Sequence, residues 1–430
     1  MNRWFAIAAL AFLLANDGQA AGETVAIVGA KILTGDGEAM EPGTVVFAGG
    51  KITSVTQGGA APAGARVVDG KGLTVAPGFI ESGTNLGLVE IDQVPATHDE
   101  DEATSPVTPQ VRVVDGFHPG SKLIAVARIN GVTSALVSPG DGNVFTGQSA
   151  LVHLDGWTLP EMLVKAPVAM HMGFGEPPKA RYGERKTQPS TRMGIAATVR
   201  ETFEKALAYK RKKDDFEKKS KEKKDKDKPP SPPDVDMKSE ALLPVLSGAL
   251  PVIARAQRMD DILTAIRLSE EFHFRLILSR AAEAYKVAAT LAAKKIPVIV
   301  GPIGTQPDAI EEQGAIYENA ALLAKAGVTV AIESNDTQNV RNLPFQAGLA
   351  VRYGMPYAAA LSAITSVPAR LFGVEAQMGR VASGCSADLA VFEGDPLEPR
   401  SKVRFVFIAG REIPLRSYQT DLYDQYRQRP

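Results

Sequence analysis

The hydrophobic pattern of this chain changes its period twice, and this change constrains the fold more than any other feature of the sequence. Residues 24–76 form short alternating runs that Gly, Asp and Pro interrupt, as antiparallel strands with tight turns do. Residues 387–392 and 403–408 show the same pattern near the other end. Because each end alone supplies too few strands for a stable core, we expect both ends to join one small β domain.

The segment between these ends alternates helical and extended patterns. The predicted helices are 122–129, 260–271, 281–294 and 315–326, and the predicted strands are 133–137, 275–278, 297–300 and 328–332. Apolar strands that alternate with helices indicate parallel βαβ units, in either a barrel or a doubly wound sheet. No Gly-x-Gly-x-x-Gly motif opens any of these helices, which argues against a dinucleotide-binding fold.

The composition indicates an ordinary globular protein. The chain has 430 residues, 44% of them hydrophobic, and a formal net charge of −1, so it can bury a large core. The near-neutral charge shows no bias toward nucleic acid, and we predict no nucleic-acid partner. Cys385 is the sole cysteine, so stability must come from packing rather than from an intramolecular disulfide.

The first 21 residues have the three-part layout of a secretory signal peptide. Asn2 and Arg3 precede an apolar run over residues 4–15, and polar residues and the small residues Ala20 and Ala21 follow. The run is shorter than the roughly 20 apolar residues that a membrane span requires, and no later run is long enough. We therefore expect a cleaved signal, no membrane span, and a secreted or periplasmic protein.

A highly charged segment interrupts the central region. Residues 210–228 hold eleven Lys or Arg and six Asp or Glu, and a proline-rich stretch follows at 229–233. Such a run stays in water. We predict a charged insertion over about 205–236. A solvated helix from 196 to about 213 leads into it, and a disordered loop follows the helix. A basic arm for an anionic surface is the alternative, with a net charge of +5 over 210–228.

Five stretches carry motifs of one family, in that family's order. They are residues 75–87, 130–133, 147–150, 342–369 and 379–397. The first, Val-Ala-Pro-Gly-Phe-Ile-Glu-Ser-Gly-Thr-Asn-Leu-Gly, resembles the segment that leads from the β domain into the first barrel strand of the amidohydrolase superfamily, in particular of its imidazolonepropionase-like branch. The last resembles the family's return into the β domain.

The resemblance implies an α/β fold with two parts. One is a TIM-type (β/α)8 barrel, which we place at residues 77–375. The other is a small composite β-sandwich formed by both chain ends, which we place at residues 22–76 and 376–430.

The resemblance also implies a metal site that this sequence does not reproduce. Relatives hold divalent metals at the C-terminal ends of barrel strands, where a zinc-like ion activates water for attack on an amide, cyclic amide or ester carbon. The family's first-strand His-x-His positions fall here on Gly83 and Asn85, and two later His positions fall on Arg255 and Arg280. Glycine has no side chain, the Asn carbonyl is a poor ligand, and a cation repels a metal. We expect no metal cofactor, and a zinc-like divalent metal only if the chain is active.

The remaining candidates lie at the other strand ends. The family's Ser-Asp motif falls on Ser334 and Asn335, with Asp336 one residue late. We predict Asp336 as the catalytic residue and His171, at the end of an apolar run, as the only weak metal-ligand candidate. The predicted substrate-binding pocket comprises Asn85, His171, Arg255, Arg280 and Asn335.

These features predict an exported amidohydrolase-like protein, resembling hydrolases of carbon–nitrogen bonds other than peptide bonds. A lost or altered metal site would make it a pseudoenzyme that binds a small-molecule ligand, anionic if Arg255 and Arg280 face it, or a partner subunit of an intact relative. The alternatives are an active divergent hydrolase that uses His171 and Asp336, and metal-free lyase or isomerase chemistry at Arg280 and Glu283. By analogy with the family, we also expect a homo-oligomer.

Overall fold

The computed structural model describes residues 23–222, 231–307, 309–427 and 429, and the predicted signal peptide lies outside them. The strands are β1 (Val25–Leu33), β2 (Ala39–Ala48), β3 (Lys51–Gln57), β4 (Arg66–Asp69), β5 (Leu73–Pro77), β6 (Phe79–Thr84), β7 (Val132–Val137), β8 (Phe145–Gln148), β9 (Ala150–His153), β10 (Leu163–Lys165), β11 (Met170–Gly173), β12 (Val252–Arg255), β13 (Leu276–Arg280), β14 (Val298–Val300), β15 (Val330–Ile332), β16 (Leu389–Glu393), β17 (Lys402–Ile408) and β18 (Arg411–Glu412).

The helices follow the same chain order. They are α1 (Lys122–Arg128), α2 (Leu159–Met162), α3 (Glu176–Glu184), α4 (Arg192–Glu222), α5 (Met237–Leu246), α6 (Met259–Phe272), α7 (Ala288–Lys294), α8 (Asn319–Lys325), α9 (Leu343–Arg352), α10 (Tyr357–Ser362), α11 (Ser366–Leu371) and α12 (Tyr418–Tyr426). Among the helices of the described residues, none is long and apolar enough to cross a membrane.

Both chain ends contribute to one sheet, as expected. Its strand order is β18-β17-β16-β5-β1-β2-β3, with β4 beside β1. The junction between the two ends is the antiparallel pair β5–β16, in which Val75 lies opposite Val391. Alternate side chains of these strands bury a shared apolar core that includes Phe47, Phe407 and the sole cysteine, Cys385. The cysteine therefore has the packing role expected from the sequence, while the two-layer sandwich stays a prediction.

The central strands are parallel, as the strand–helix alternation predicts. Strands β11 to β15 pair in sequence order with β8 at one edge, and β6 pairs with β7 in a second sheet that includes β9 and β10. The segment at Ala363 and Ile364 accepts hydrogen bonds from Ile332 of β15 and Ile80 of β6, and so connects the two sheets. The result is a mixed α/β fold in which the C-terminal ends of β6, β7 and β11–β15 carry the polar residues described below.

An apolar interior supports these strand ends. One side chain each from β6, β7, β9, β12, β13, β14 and β15 contributes to a single buried cluster: Ile80, Leu136, Leu151, Ile253, Ile277, Ile299 and Ala331. Alternate residues of a strand point to opposite faces, so the same strands present their other side chains to the surrounding helices.

Two predicted helices differ from the structure. Residues 281–287 form a turn and a short 3-10 helix instead of the start of a helix, because Arg280 and Ala281 adopt left-handed backbone conformations at the end of β13. The charged helix is longer than predicted, from Arg192 to Glu222. Phe203 anchors it in the core, and Lys213 forms an ion pair of 2.6 Å with Glu240 of α5.

Candidate functional site

A small cavity lies where the C-terminal ends of the central strands meet. Its volume is about 60 Å³, enough for a few water molecules, and we call it the central cavity. Three of the residues predicted from sequence line it, namely Asn85, His171 and Asn335. The other three, Arg255, Arg280 and Asp336, do not line it.

His171 is the imidazole of the central cavity. It extends from β11, and its Nε2 atom is shielded from solvent without a hydrogen-bond partner. Burial lowers the pKa of His171 to about 4, although the nearby Asp141 carboxylate opposes this shift. The imidazole is therefore neutral at pH 7, with one ring nitrogen able to accept or donate a hydrogen bond.

The two predicted asparagines differ in how firmly they are held. Asn85 Nδ2 donates a hydrogen bond of 2.8 Å to the carbonyl oxygen of Ser138, which fixes the end of β6 to the end of β7. Asn335 has φ +48°, a left-handed conformation that Asn tolerates better than most residues. Arg280 also has a left-handed backbone, with φ +66°. Backbone strain of this kind is concentrated at functional sites in proteins.

Two buried carboxyl groups that sequence reasoning missed, Glu81 and Glu333, lie at the same strand ends. Glu81 accepts hydrogen bonds from the backbone N–H groups of Gly83 and Ser334, at 3.1 and 3.0 Å. Glu333 Oε1 accepts from the Ser279 hydroxyl at 3.1 Å and from the Arg280 N–H at 3.3 Å. The available signal was a single acidic residue within an otherwise apolar strand segment.

Burial determines the protonation of both groups. Desolvation raises the pKa of Glu81 to about 7, against hydrogen bonds from Ser334 and Gly83 that lower it. Desolvation likewise raises the pKa of Glu333 to about 8, with Arg280 lowering it and Glu81 raising it. At pH 7, Glu333 is therefore mostly a neutral carboxylic acid that can donate a hydrogen bond.

Glu333 also explains why a glycine occupies position 83. A Cβ atom on Gly83 would overlap Glu333 Oε2. The carboxyl group thus fills the space that a side chain at residue 83 would need, and a bulkier residue there requires Glu333 to move.

Arg255, at the end of β12, is buried within ion pairs. Its Nη1 lies 2.9 Å from Glu311 Oε1, and its Nε lies 3.0 Å from Asp141 Oδ2, in a geometry that does not form a hydrogen bond. Glu311 is completely buried and also pairs with Arg192 at 3.4 Å. The charge of Arg255 is therefore paired inside the protein, and Arg255 does not line the central cavity, so its role in ligand binding stays a prediction.

Arg280, at the end of β13, has a more distant ion-pair partner than Arg255. Its Nη2 lies 3.5 Å from Asp141 Oδ2, and its side chain is 20% exposed. Arg280 also lines a second cavity of about 100 Å³. We call this cavity the side pocket; Gln257, Ile303, Glu312, Ile316 and Tyr317 also line it.

Asp336 lines neither cavity and has a structural role in its turn. Its Oδ1 accepts hydrogen bonds from the N–H groups of Gln338 and Asn339 at 2.8 and 2.9 Å, and its Oδ2 accepts from Asn339 Nδ2 at 3.0 Å. This pattern is that of an Asp side chain that stabilises a turn. Asp336 does not line the central cavity, whereas the carboxyl groups of Glu333 and Asp141 do.

The strand ends do not fit a resident zinc-like metal. Such a site needs three or four His, Cys, Asp or Glu side chains directed at one point. No three of these side chains are so placed in the described part of the chain. The cavity holds one imidazole, the carboxyl oxygens of Glu81 accept backbone N–H groups, and Asp141 lies against two guanidinium groups.

The fold and this site define an α/β protein whose candidate functional residues lie at the C-terminal ends of parallel strands. The model of the amidohydrolase family matches residues 273–413. A crystal structure of an amidohydrolase from Thermotoga maritima MSB8 is 36% identical, with a TM-score of 0.84, and the match covers 91% of this chain and 100% of that one. This chain belongs to the amidohydrolase superfamily.

More distant relatives share the fold or part of the sequence. An amidohydrolase of Hapsidospora irregularis is 28% identical over 362 residues, which is 78% of this chain. The chain spans only 36% of that protein's length. Phenylurea hydrolase B has 16% identity and a TM-score of 0.56, over 91% of this chain and 97% of its own. That similarity shows the fold alone.

Proposed function

We propose that this chain is an exported ligand-binding member of the amidohydrolase superfamily that does not carry out metal-assisted hydrolysis. The main observation behind the proposal is that the Asp141 carboxylate lies between two arginine side chains. Its carboxylate lies 3.0 Å from Arg255 and 3.5 Å from Arg280, two cations at the strand ends where relatives resembling this chain place metal ligands. Arginine side chains remain charged in proteins and oppose a nearby divalent ion.

The other polar groups of the central cavity support the same proposal. Glu333 is mostly protonated at pH 7, and a protonated carboxyl group is a poor metal ligand. His171 is neutral and could contribute one nitrogen. One imidazole without neighbouring free carboxylates binds divalent ions weakly, whereas it can still form a hydrogen bond to a ligand or a water molecule.

The proposal includes the finer predictions drawn from the resemblance. They are a closed (β/α)8 barrel with a composite β-sandwich, export through the N-terminal leader, and assembly as a homo-oligomer or with an intact relative. An ancestral activity on carbon–nitrogen bonds other than peptide bonds belongs to the same set.

Metal analysis of the mature protein tests the proposal. The protein is purified without chelators and without a metal-binding tag, and its zinc, manganese and iron are measured before and after reconstitution. We expect well under one metal ion per chain in both samples. Near-stoichiometric metal that is lost in His171→Asn, and retained in the surface control Asp115→Asn, would contradict the proposal.

An active divergent hydrolase is the second candidate, because the Nε2 atom of His171 is buried without a partner beside the central cavity. Glu333 and Asp141, rather than Asp336, are the acidic residues that line this cavity, and Glu333 is the one without an arginine side-chain partner within 4 Å among the described residues. Metal retention that depends on His171, together with hydrolysis of an amide or cyclic amide that Glu333→Gln abolishes and Asp336→Asn preserves, would favour this candidate.

A further inference from the structure

Three side-chain atoms of the residues that line the central cavity have no hydrogen-bond partner in the described part of the protein. They are Ser82 Oγ, Ser138 Oγ and His171 Nε2, and all three are shielded from solvent. The two serines are only 1% and 8% exposed. A buried polar atom without a partner costs free energy, so such atoms are normally satisfied by water or by a ligand. Their presence on one cavity indicates a binding site.

The strand register places these three side chains on the inward face of their strands. Each comes two residues after a member of the buried apolar cluster, and alternate residues of a strand share a face. Each therefore continues an inward-facing row past the apolar interior, toward the C-terminal end of the strand. The apolar residues that precede Ser82, Ser138 and His171 are Ile80, Leu136 and Ala169, respectively.

Other polar side chains of the lining are already bonded within the protein. Thr84 Oγ1 donates to a backbone carbonyl oxygen at 2.5 Å, and Asn85 Nδ2 donates to another at 2.8 Å. Ser279 Oγ donates to the Glu333 carboxyl group at 3.1 Å. These bonds hold the strand ends together, so the three unpartnered atoms are presented by a preorganised frame.

The charges at the central cavity favour an uncharged ligand. Its acidic lining residues are Asp141 and Glu333, and no Lys or Arg lines it among the residues that the structure describes. An anion would meet carboxyl groups without a facing cation. A cation would compete with the guanidinium groups of Arg255 and Arg280, which already lie 3.0 and 3.5 Å from Asp141.

Hydroxyl groups match the unpartnered atoms better than other uncharged groups. A serine hydroxyl both donates and accepts hydrogen bonds, and an imidazole nitrogen does one or the other according to its tautomer. A ligand hydroxyl likewise takes either role, whereas an amide NH₂ group only donates and a carbonyl oxygen only accepts. Several hydroxyl groups on one molecule can therefore satisfy all three atoms in more than one arrangement.

The size of the central cavity limits the ligand to a very short carbon chain. Its volume of about 60 Å³ admits roughly four water-sized groups, at about 15 Å³ for each. Pro139 and Ile253 also line it and offer an apolar wall against which carbon atoms can pack.

We infer that the central cavity binds a small uncharged polyol of two or three carbons, whose hydroxyl groups form hydrogen bonds with Ser82, Ser138 and His171. The inference rests on the proposed ligand-binding function and names its ligand class. It requires no charged partner, and it gives each of the three buried atoms the hydrogen bond that the protein does not supply.

Titration by ligand-observed NMR with four probes of equal size tests the inference. Ethane-1,2-diol carries two hydroxyl groups, propan-1-ol replaces one of them by a methyl group, acetate is an anion, and acetamide is an uncharged amide. We expect the mature protein to bind the diol about tenfold more tightly than each other probe, a factor that corresponds to about 1.4 kcal/mol. Equal or tighter binding of any other probe, or failure of the diol to bind at tens of millimolar, would overturn the inference.

Serine variants connect the selectivity to the unpartnered atoms. Ser82→Ala and Ser138→Ala should each reduce the preference for the diol over propan-1-ol from about tenfold to less than about threefold. Neither should lower the stability of the ligand-free protein, because neither hydroxyl bonds another protein group. Thermal unfolding checks this.

Ser134→Ala is the matched control, since Ser134 Oγ is also buried without a partner but does not line the central cavity. We expect this variant to keep the full preference for the diol. If Ser82→Ala and Ser138→Ala also keep it, or if Ser134→Ala loses it equally, the polyol does not bind these atoms and the inference is wrong.

The two proposals fail separately. Stoichiometric metal overturns the proposed function whatever the titrations show. A metal-free protein that binds other small molecules without preferring the diol overturns only the polyol.

Discussion

The central cavity and the side pocket lie at the same strand ends, yet burial affects their polar side chains differently. In the central cavity, burial drives Glu333 and His171 toward their uncharged forms. In the side pocket, Arg280 lies 3.5 Å from Asp141, and Gln257 donates to Glu312 at 2.7 Å. The comparison teaches that burial without an ion-pair partner favours the uncharged forms of His171 and Glu333, whereas ion pairs and hydrogen bonds hold the polar side chains of the neighbouring pocket. The energetic reason is that an unpaired buried charge costs several kcal/mol, whereas a paired or partly hydrated one does not.

The largest expected effect comes from breaking the ion pairs that the buried Glu311 forms with Arg255 and Arg192. Glu311→Gln removes a charge that pairs with Arg255 at 2.9 Å and with Arg192 at 3.4 Å. We expect the free energy of unfolding to fall by about 4 kcal/mol, because the buried Arg255 loses its main partner. Chemical denaturation monitored by circular dichroism measures the change.

Glu271→Gln is the matched control for that variant. Glu271 pairs with Arg200 at 2.7 Å, but both side chains are more than a third exposed. We expect a change of no more than about 1 kcal/mol. If both variants lost the same free energy of unfolding, burial would not distinguish the ion pairs of Glu311 from the exposed pair of Glu271 and Arg200.

The neutral state of the central cavity predicts a pH dependence of stability. The pKa of Glu333 is raised from 4.5 to about 8 in the folded protein, so the folded state holds its proton more tightly than the unfolded state. The resulting stability is fully present below about pH 4.5 and is lost as the pH rises to about 8. Glu333→Gln cannot ionise and should lack this loss, gaining roughly 3 kcal/mol relative to the parent between pH 5 and pH 8.

Denaturation of both proteins over this pH range measures that difference. Glu81 shifts in the same direction, with a pKa of about 7, and His171 in the opposite direction, with a pKa of about 4. Both are present in parent and variant, so the difference between the two curves isolates Glu333. Parallel curves would show that Glu333 is ionised in the folded protein at neutral pH.

A smaller effect tests how closely the central cavity is packed. Gly83→Ala places a methyl group against the Glu333 carboxyl, and we expect a loss of about 2 kcal/mol in the free energy of unfolding. In a Glu333→Ala background the same substitution should cost less than about 1 kcal/mol, because the overlap is gone. The double-mutant cycle compares the two costs. Equal costs would mean that Glu333 is not the neighbour that requires glycine.

The strand pattern could be predicted well from local sequence. The predicted strand 133–137 corresponds to Val132–Val137, and 328–332 overlaps Val330–Ile332. Alternation of apolar residues depends on the chain's own period, so it is visible without the fold. Residues 281–287 were predicted to begin an α-helix but form a turn and a short 3-10 helix. Contacts from a distant part of the chain hold this conformation, because Asn319 forms hydrogen bonds with both Tyr285 and Ala281.

The candidate site was predictable only in part. Asn85, His171 and Asn335 do line the central cavity, since each follows a strand whose C-terminal end faces the same point. Asp336 could not be judged from sequence, because a shift of one residue at a strand end decides whether its carboxylate faces the cavity or stabilises a turn. Arg255 was correctly placed at a strand end, but its partner Glu311 is distant in sequence.

The sequence by itself determined the alternation of strands and helices and the superfamily, because these depend on residue types at fixed spacing. Only the tertiary structure decided which ionisable side chains are buried and which of them have ion-pair partners. Burial raises the pKa of Glu333 to about 8. Arg255 forms an ion pair with Glu311, which is distant in sequence, and Arg280 and Glu312 line the same pocket. Electrostatic energy depends on distance and on access to water, and neither can be read along the chain.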